Sequence, residues 1–372
     1  MTRKPIVVLG ANGYTGRLVM EFLAEMGLPF VAAGRSASRI KAVAAEVPGI
    51  AAADYEVAEV DLDAASLKRL LTGTKVVCNT VGPFAKLGAS VAQAALEAGC
   101  HYVDTSGEQP WLFAAKNEFG AAFKKAGLVL APSTAALYTT ADIAVHLARE
   151  LVPGADTIDV VNYLNGAPTT ASTQSIFDLL RSPAYQLIDN KLVEWDPSQV
   201  YSVLSPNGHE LIDAAPWGGT SLPAWYLDDP EIRNVKALTG WMSRGLVRTV
   251  VDIAKQVTEQ IKGKSEAEVV KYLEDTASGI QSGTPPRENP RINRYCDSAT
   301  VRGTLGAAQV ALFGHSAYRQ TGLYQAAAAA LLLGDRFHQT GFTSPCAAFG
   351  ARTLLGYQQH AGMLRPQTIF AG

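Results

Sequence analysis

Over residues 1–130, short apolar runs alternate with stretches in which apolar residues recur every three or four positions. The first kind reads as buried strand and the second as amphipathic helix. Ile6-Val7-Val8-Leu9 opens the series as a strand, and Leu18 to Met26 follows as a helix. Strand Pro29 to Gly34, helix Ile40 to Glu46, strand Tyr55 to Val60 and helix Leu67 to Leu71 continue it. Lys75 to Phe84 is an apolar strand closed by a Gly-Pro turn. Helix Ser90 to Ala98 and strands His101 to Asp104 and Gly127 to Pro132 complete the set. Such alternation predicts a parallel sheet wrapped by helices, with a ligand above the carboxyl ends of the strands.

The pattern changes after about residue 150. Asp156 to Leu164 alternates as a half-exposed strand does, and Thr173 to Leu180 reads as a helix. Short strands and turns rich in Pro, Gly and Trp follow at Tyr201 to Leu204, Pro206-Asn207-Gly208, Trp217-Gly218-Gly219 and Pro223 to Tyr226. Helices fit Leu246 to Ile261 and Glu266 to Ala277; a turn region, Gly283 to Pro290, precedes strands Ala299 to Leu305 and Ala308 to Gly314. Tyr324 to Leu333 is very apolar but about half the roughly 20 residues a bilayer span needs, so a buried core helix is expected. The last helix, about Cys346 to His360, is expected to pack back on the first domain. The fold class is therefore α/β: an N-terminal Rossmann parallel sheet, a second α+β substrate or dimerisation domain, and a C-terminal helix returning to the first. The expected boundaries are 1–133, 134–342 and 343–372, consistent with a chain of 372 residues.

The chemistry sits first in Gly10-Ala11-Asn12-Gly13-Tyr14-Thr15-Gly16, between the first strand and the first helix. Gly10 allows a sharp turn, Gly13 lets bare backbone approach a pyrophosphate, and Gly16 lets the helix pack close. The spacing is one residue longer than the usual G-x-G-x-x-G. The second strand ends in Arg35-Ser36, with Arg39 a turn further on. An acid there would bind the ribose 2′-OH of NAD; a guanidinium suits a 2′-phosphate instead, which selects NADP. Asp61, after the third strand, is placed to reach the adenine edge or to serve a helix cap.

Composition narrows the classes. With 48% hydrophobic and 18% charged residues and a net charge of −2, the chain is an ordinary globular one with no basic face for nucleic acid. Cys78, Cys100, Cys296 and Cys346 are scattered in apolar or small-residue contexts, which reads as four reduced thiols in a cytoplasmic protein. The six histidines lack ligand spacing, so no metal is expected. The first strand starts at Ile6, leaving no room for a signal peptide, and no stable membrane insertion is expected.

Taken together, Gly10 to Gly16, Asn79 to Phe84 and His101 to Glu108 resemble the saccharopine dehydrogenase-like oxidoreductases. Val301-Arg302-Gly303, Ala317 to Thr321 and Thr343-Ser344-Pro345 extend the similarity. The branch of trans-acting enoyl reductases from lipid and polyketide pathways is the nearest. The resemblance is strong to about residue 145 and patchy beyond. It implies a Rossmann domain, an inserted α+β substrate domain and a nicotinamide cofactor, with Thr80, Val81 and Gly82 lining the nicotinamide side and Ser106 and Gly107 nearby. The chain departs from the family at Ala131 to Leu137 and at Ala167 to Ser172, both expected near the substrate.

A nicotinamide enzyme also needs a proton donor. Tyr102, Tyr138 and Tyr163 are the candidates, with Asp104 and Tyr318 beside them; a buried structural role is the competing reading of each. Glu108 has a ribose or a helix end as partner, and His146, spaced with Ile143 and Leu147, reads as a core histidine. The Tyr-Lys pair of short-chain dehydrogenases is missing: none of the thirteen tyrosines has a Lys four positions later. Two reductase readings remain. One reduces the C=C bond of an apolar α,β-unsaturated carbonyl; the other reduces an imine or carbonyl, as in saccharopine formation. Binding amino-acid carboxylates calls for Arg, and residues 182–232 contain none, which favours the first. A non-catalytic NADPH-binding regulator is the third. The expected partners are a small-molecule substrate and a second copy in a homodimer.

Overall fold

Wholly buried apolar strands form the centre of the first sheet: Ile6–Leu9 (β1), Phe30–Gly34 (β2), Val76–Asn79 (β4) and His101–Asp104 (β5), with the less buried Tyr55–Glu59 (β3) towards one edge and Val129–Ala131 (β6) towards the other. Strands buried on both faces need helices on both, the condition of a parallel sheet. All pairings are parallel, and the order runs from the short strand Gly341–Phe342 through β6, β5, β4, β1 and β2 to β3. The order reverses between β1 and β4, the topological switch point at which dinucleotides bind.

The computed structural model describes residues 3–165, 169, 172, 182–196, 199–206, 210–216, 220–241, 244–279 and 288–372. The chain forms two units. One comprises the chain up to Ser106 with Pro110–Thr139 and Tyr318–Gly362; the other comprises Gly107–Gln109, Thr140–Ala317 and Met363–Gly372. The expected helix Thr173 to Leu180 lies outside the described residues, as do Asn207-Gly208, Trp217 to Gly219, Ala167-Pro168, Thr170-Ala171 and most of the Gly283 to Pro290 turn.

In the first unit, helices α1 (Tyr14–Glu25), α2 (Ala37–Ala44), α3 (Ala64–Leu71) and α4 (Phe84–Ala98) join successive strands. Leu67, Leu70 and Leu71 of α3 and Val91 and Ala95 of α4 share one core with Trp111 and Phe123, each side chain giving about 1.5–3 kcal/mol on full burial if large and apolar. α4 starts six residues earlier than its periodicity suggested, because the Gly-Pro turn that ends β4 also opens the helix, with Pro83 as N-cap. The run at Tyr324 is the buried helix expected: it spans Ala317–Leu333, and Gln320 to Ala329 are all buried. At Gly322 this helix touches α1 backbone to backbone, a Cβ there coming within 2.9 Å of Leu18 C and O. The C-terminal helix is present as Pro345–Phe349 and Ala351–His360.

The second sheet is mixed. Its order is Tyr201–Leu204 (β10), Leu211–Ala215 (β11), Asn234–Trp241 (β12), Thr157–Leu164 (β7), Arg294–Gly303 (β13), Gly306–His315 (β14) and the final strand Leu364–Ala371; the hairpin of Tyr185–Ile188 (β8) and Lys191–Glu194 (β9) joins at β12. Residues 364–371 were expected to belong with the C-terminal helix; Pro366 and weak alternation hide the strand, and an edge position tolerates the proline. Pro223 to Tyr226, expected as strand or turn, form the short helix Leu222–Tyr226, with its Pro in the first turn.

Register places Thr239 of β12, Asn162 of β7 and Asp297 of β13 side by side on one face. Asn162 Nδ2 donates to Asp297 Oδ1 at 2.7 Å, while Asp297 Oδ2 is buried with no partner among the described residues. Burial pushes the Asp297 carboxyl up to about 8. An unfolded Asp titrates near ~3.9, so folding retains a proton across that window, and this contribution to stability is lost as pH rises towards 8. Thermal melts from pH 6 to 9 should therefore show a fall in Tm for the wild type that Asp297→Asn flattens. Equal slopes for the two proteins would mean that Asp297 is ionised throughout.

Candidate cofactor and active site

The glycine turn owes its shape to contacts that only glycine permits. Gly10 has φ +87°, and its N–H and that of Ala11 both donate to Ala33 O of β2, at 2.9 and 3.1 Å. A Cβ on Gly16 would lie 2.2 Å from Gly10 O, so the first turn of α1 rests directly on the loop. Gly13 is the N-cap and brings no side chain to the first-turn N–H groups, leaving a helix N-terminus shaped for an anion. Tyr14 turns its ring edge-on to Tyr318 at 5.2 Å, and Thr15 is half-buried. Thr80 and Val81, after β4, close over the turn: a Cβ on Gly10 would come within 2.6 and 2.8 Å of them, and Thr80 Oγ1 donates to Leu9 O. Gly82 beside them is exposed.

At the end of β2, a pocket of about 290 Å³ is lined by Asn12, Arg35, Ser36 and Arg39. Ser36 caps α2, accepting from Arg39 N. Neither Arg35 nor Arg39 is engaged by an acid among the described residues. Glu59, at the end of β3, bonds to the backbone between Ser36 and Arg39, its carboxylate accepting from Ala37 N at 2.8 Å. Sequence reasoning missed Glu59, because its strand position only becomes relevant once β2 and β3 are in register. Asp61 is exposed after β3, while Asp63 takes the capping role, accepting from Ser66 N.

On the other side of the switch point, a buried network spans β4, β5 and β6. Asn79 Oδ1 accepts from Val81 N, and its Nδ2 donates to the Tyr102 hydroxyl at 3.0 Å. Tyr102 donates to Asp104 Oδ2 at 2.8 Å, where Trp111 Nε1 also donates at 2.6 Å. Asp104 Oδ1 accepts from Ser106 N and Ser133 N, at 2.9 and 2.8 Å. Burial raises the Asp104 carboxyl to about 6, against four donors that favour the carboxylate, so it is ionised at neutral pH. Gln325 Nε2 adds bonds to Asp104 O and Thr134 O. Asn79 opens the Asn79 to Phe84 segment that carries the family resemblance, whereas Trp111 and Gln325 belong to no motif.

Tyr102 is fully buried, and its hydroxyl bonds to both Asp104 and Asn79, the surroundings of the structural reading of this residue. Asp104 is also fully buried. Tyr138 is half-buried at the first turn of the helix Tyr138–Leu151 (α7), just after Leu137, whose φ is +72°. Tyr163 is 9% exposed on β7. Ser106 is buried beside Asp104, whereas Gly107 belongs with the second unit, its carbonyl accepting from Thr220 Oγ1. Glu108 is buried, and His146 Nε2 lies 3.8 Å from Asp142 Oδ1.

Fold and turn define a nucleotide-binding domain of saccharopine dehydrogenase type joined to a second sheet domain. Residues 6–130 match the family described as saccharopine dehydrogenase NADP binding domain, and NADP(H) is the cofactor. Residues 139–370 match the family of unknown function DUF5938, more than half of the chain, and the chain belongs to that family. A lipid droplet localized protein of Caenorhabditis elegans is 31% identical over 158 residues, which are 40% of this chain and 37% of that protein; the chain thus spans well under half of that relative. A trans-acting enoyl reductase of Mycobacterium bovis is 25% identical over 93% of each chain. Apo saccharopine dehydrogenase (L-Glu forming) from Saccharomyces cerevisiae matches at a TM-score of 0.62 over 99% of this chain and 100% of its own, at 14% identity, a likeness of fold. No helix among the described residues is long and apolar enough to cross a membrane.

If Arg35 seats the 2′-phosphate, Arg35→Asp should weaken NADPH binding by about 10²-fold, as expected for losing a charge-assisted pair and gaining a repulsion, and leave NADH within a few-fold. Equal loss for both dinucleotides in titrations of nicotinamide fluorescence would remove Arg35 from that role.

Proposed function

We propose that the protein is an NADPH-dependent oxidoreductase that reduces the C=C bond of an apolar α,β-unsaturated carbonyl compound. The observation that carries the cofactor half is the acid-free pocket of Asn12, Arg35, Ser36 and Arg39 beside the glycine turn. Backbone N–H groups of Gly10 to Gly16 would hold the pyrophosphate, Arg35 with Ser36 and Arg39 the 2′-phosphate, and Asp61 the adenosine edge. Thr80, Val81, Gly82, Ser106 and Gly107 would border the nicotinamide half. When bound, NADPH supplies the hydride.

The residues of this chain supply position and a proton. Tyr138 is our choice of proton donor: it follows β6 in the chain, is half-buried in the first turn of its helix, and a phenol can act as a general acid. Tyr163 is the runner-up. An apolar acceptor is supported by residues 182–232, which hold no Arg to clamp a carboxylate, and C=C reduction by the mycobacterial relative named a trans-acting enoyl reductase. Imine or carbonyl reduction is the second reading, favoured by the yeast enzyme's fold alone.

NADPH oxidation followed by absorbance with a panel of enals, enones and preformed imines tests this. Enones and enals should be turned over, and Tyr138→Phe should lower kcat by about 10²–10⁴-fold with NADPH affinity kept. Turnover of imines alone would favour the second reading. Tight NADPH binding without turnover of any acceptor would make the protein a non-catalytic NADPH-binding regulator.

A further inference from the structure

The first unit holds a buried polar device that the residues assigned to the cofactor do not account for. Five side chains of the first unit, Asn79, Tyr102, Asp104, Trp111 and Gln325, are each buried and bonded into one network. Four of its bonds reach backbone at the carboxyl ends of β4, β5 and β6: Val81 N, Ser106 N, Ser133 N and Thr134 O. The Asn79 bond to Tyr102 links the first of these loops to the other two. These bonds run to the ends of β4, β5 and β6 and not to the Gly10 to Gly16 turn or the β2 pocket.

We infer that Asp104 is a positioning residue that fixes the three loops after β4, β5 and β6 as a seat for the nicotinamide half of the cofactor, leaving the adenosine half to the glycine turn and Arg35. The inference rests on the reading of the first unit as the NADPH site. A dinucleotide at the β1/β4 switch point puts one half over β1 to β3 and the other over β4 to β6. Beneath the second half lies the fully buried Asp104 with its four donors. Ser133 is the strained member of the seat, with φ +64°, a conformation costing about 1–3 kcal/mol in a non-glycine residue unless its surroundings impose it. Its N–H is held by Asp104 and its carbonyl by Thr139 Oγ1 at 3.0 Å, which supplies that imposition. A loop held in this way presents its backbone at a defined place and does not re-form when a ligand arrives.

Asp104→Asn replaces one acceptor oxygen by a donor facing existing donors and so releases the loops. Tyr102→Phe cuts the hydroxyl link between Asn79 and Asp104 and keeps the ring. Affinities for NADPH and for 2′,5′-ADP, which lacks the nicotinamide half, separate the outcomes when measured by calorimetry alongside the melting temperature. Asp104→Asn should weaken NADPH by about tenfold or more and leave 2′,5′-ADP within about twofold, and Tyr102→Phe should show the same selectivity at smaller size. Tyr102→Phe decides the matter if the Asn variant does not fold. Equal loss of both ligands, or a lowered melting temperature with both affinities kept, would reduce the network to a structural core and overturn the inference. Failure of the wild type to bind either ligand would instead remove the NADPH reading on which it rests.

Discussion

A carboxylate taken out of water destabilises a fold by several kcal/mol unless donors surround it. Asp104 is such a group, with no exposed surface and four donors on its two oxygens. The demand for those donors shapes the carboxyl end of the sheet. Trp111 must bring its indole N–H inward, and Gly88 of α4 makes room, since a Cβ there would lie 2.6 Å from the ring. The loops after β5 and β6 must turn their N–H groups to the same oxygen. Three segments far apart in sequence become one object, and the left-handed backbone at Ser133 is held in place by it.

The other side of the switch point is built on the opposite principle. Glycines remove side chains so that strand, loop and helix come into backbone contact, as Gly16 does on Gly10. What remains for a ligand is bare N–H groups, a helix dipole and two guanidinium groups in a pocket with room for a phosphate. Affinity on this side comes from electrostatics near the surface, and precision on the other side comes from satisfied hydrogen bonds inside.

This division explains what could be read in advance. Apolar runs such as Ile6 to Leu9 and glycines with one physical job are local signals, so the Rossmann sheet, its turn and Arg35 were legible from the residues around them. The network was not. Tyr102 was a proton-donor candidate because a phenol near the carboxyl end of a strand can reach a substrate; its bonding partner Asn79 is 23 positions away, and Gln325 lies in a helix much later in the chain. Long-range hydrogen bonds leave no periodicity. In the second unit, the final strand escaped notice because Pro366 and exposed polar residues mask an edge strand. The same unit buries Asp297 beside Asn162 through register alone, which no single strand reveals.

Both sides converge on one cofactor pose. A crystal structure with NADP⁺ bound tests that pose most directly. The account predicts pyrophosphate over Gly10 to Gly16, the 2′-phosphate in the pocket within hydrogen-bond reach of Arg35 and Ser36, and the nicotinamide over the ends of β4 to β6. A 2′-phosphate pointing to solvent away from Arg35, or a dinucleotide bound elsewhere, would contradict it.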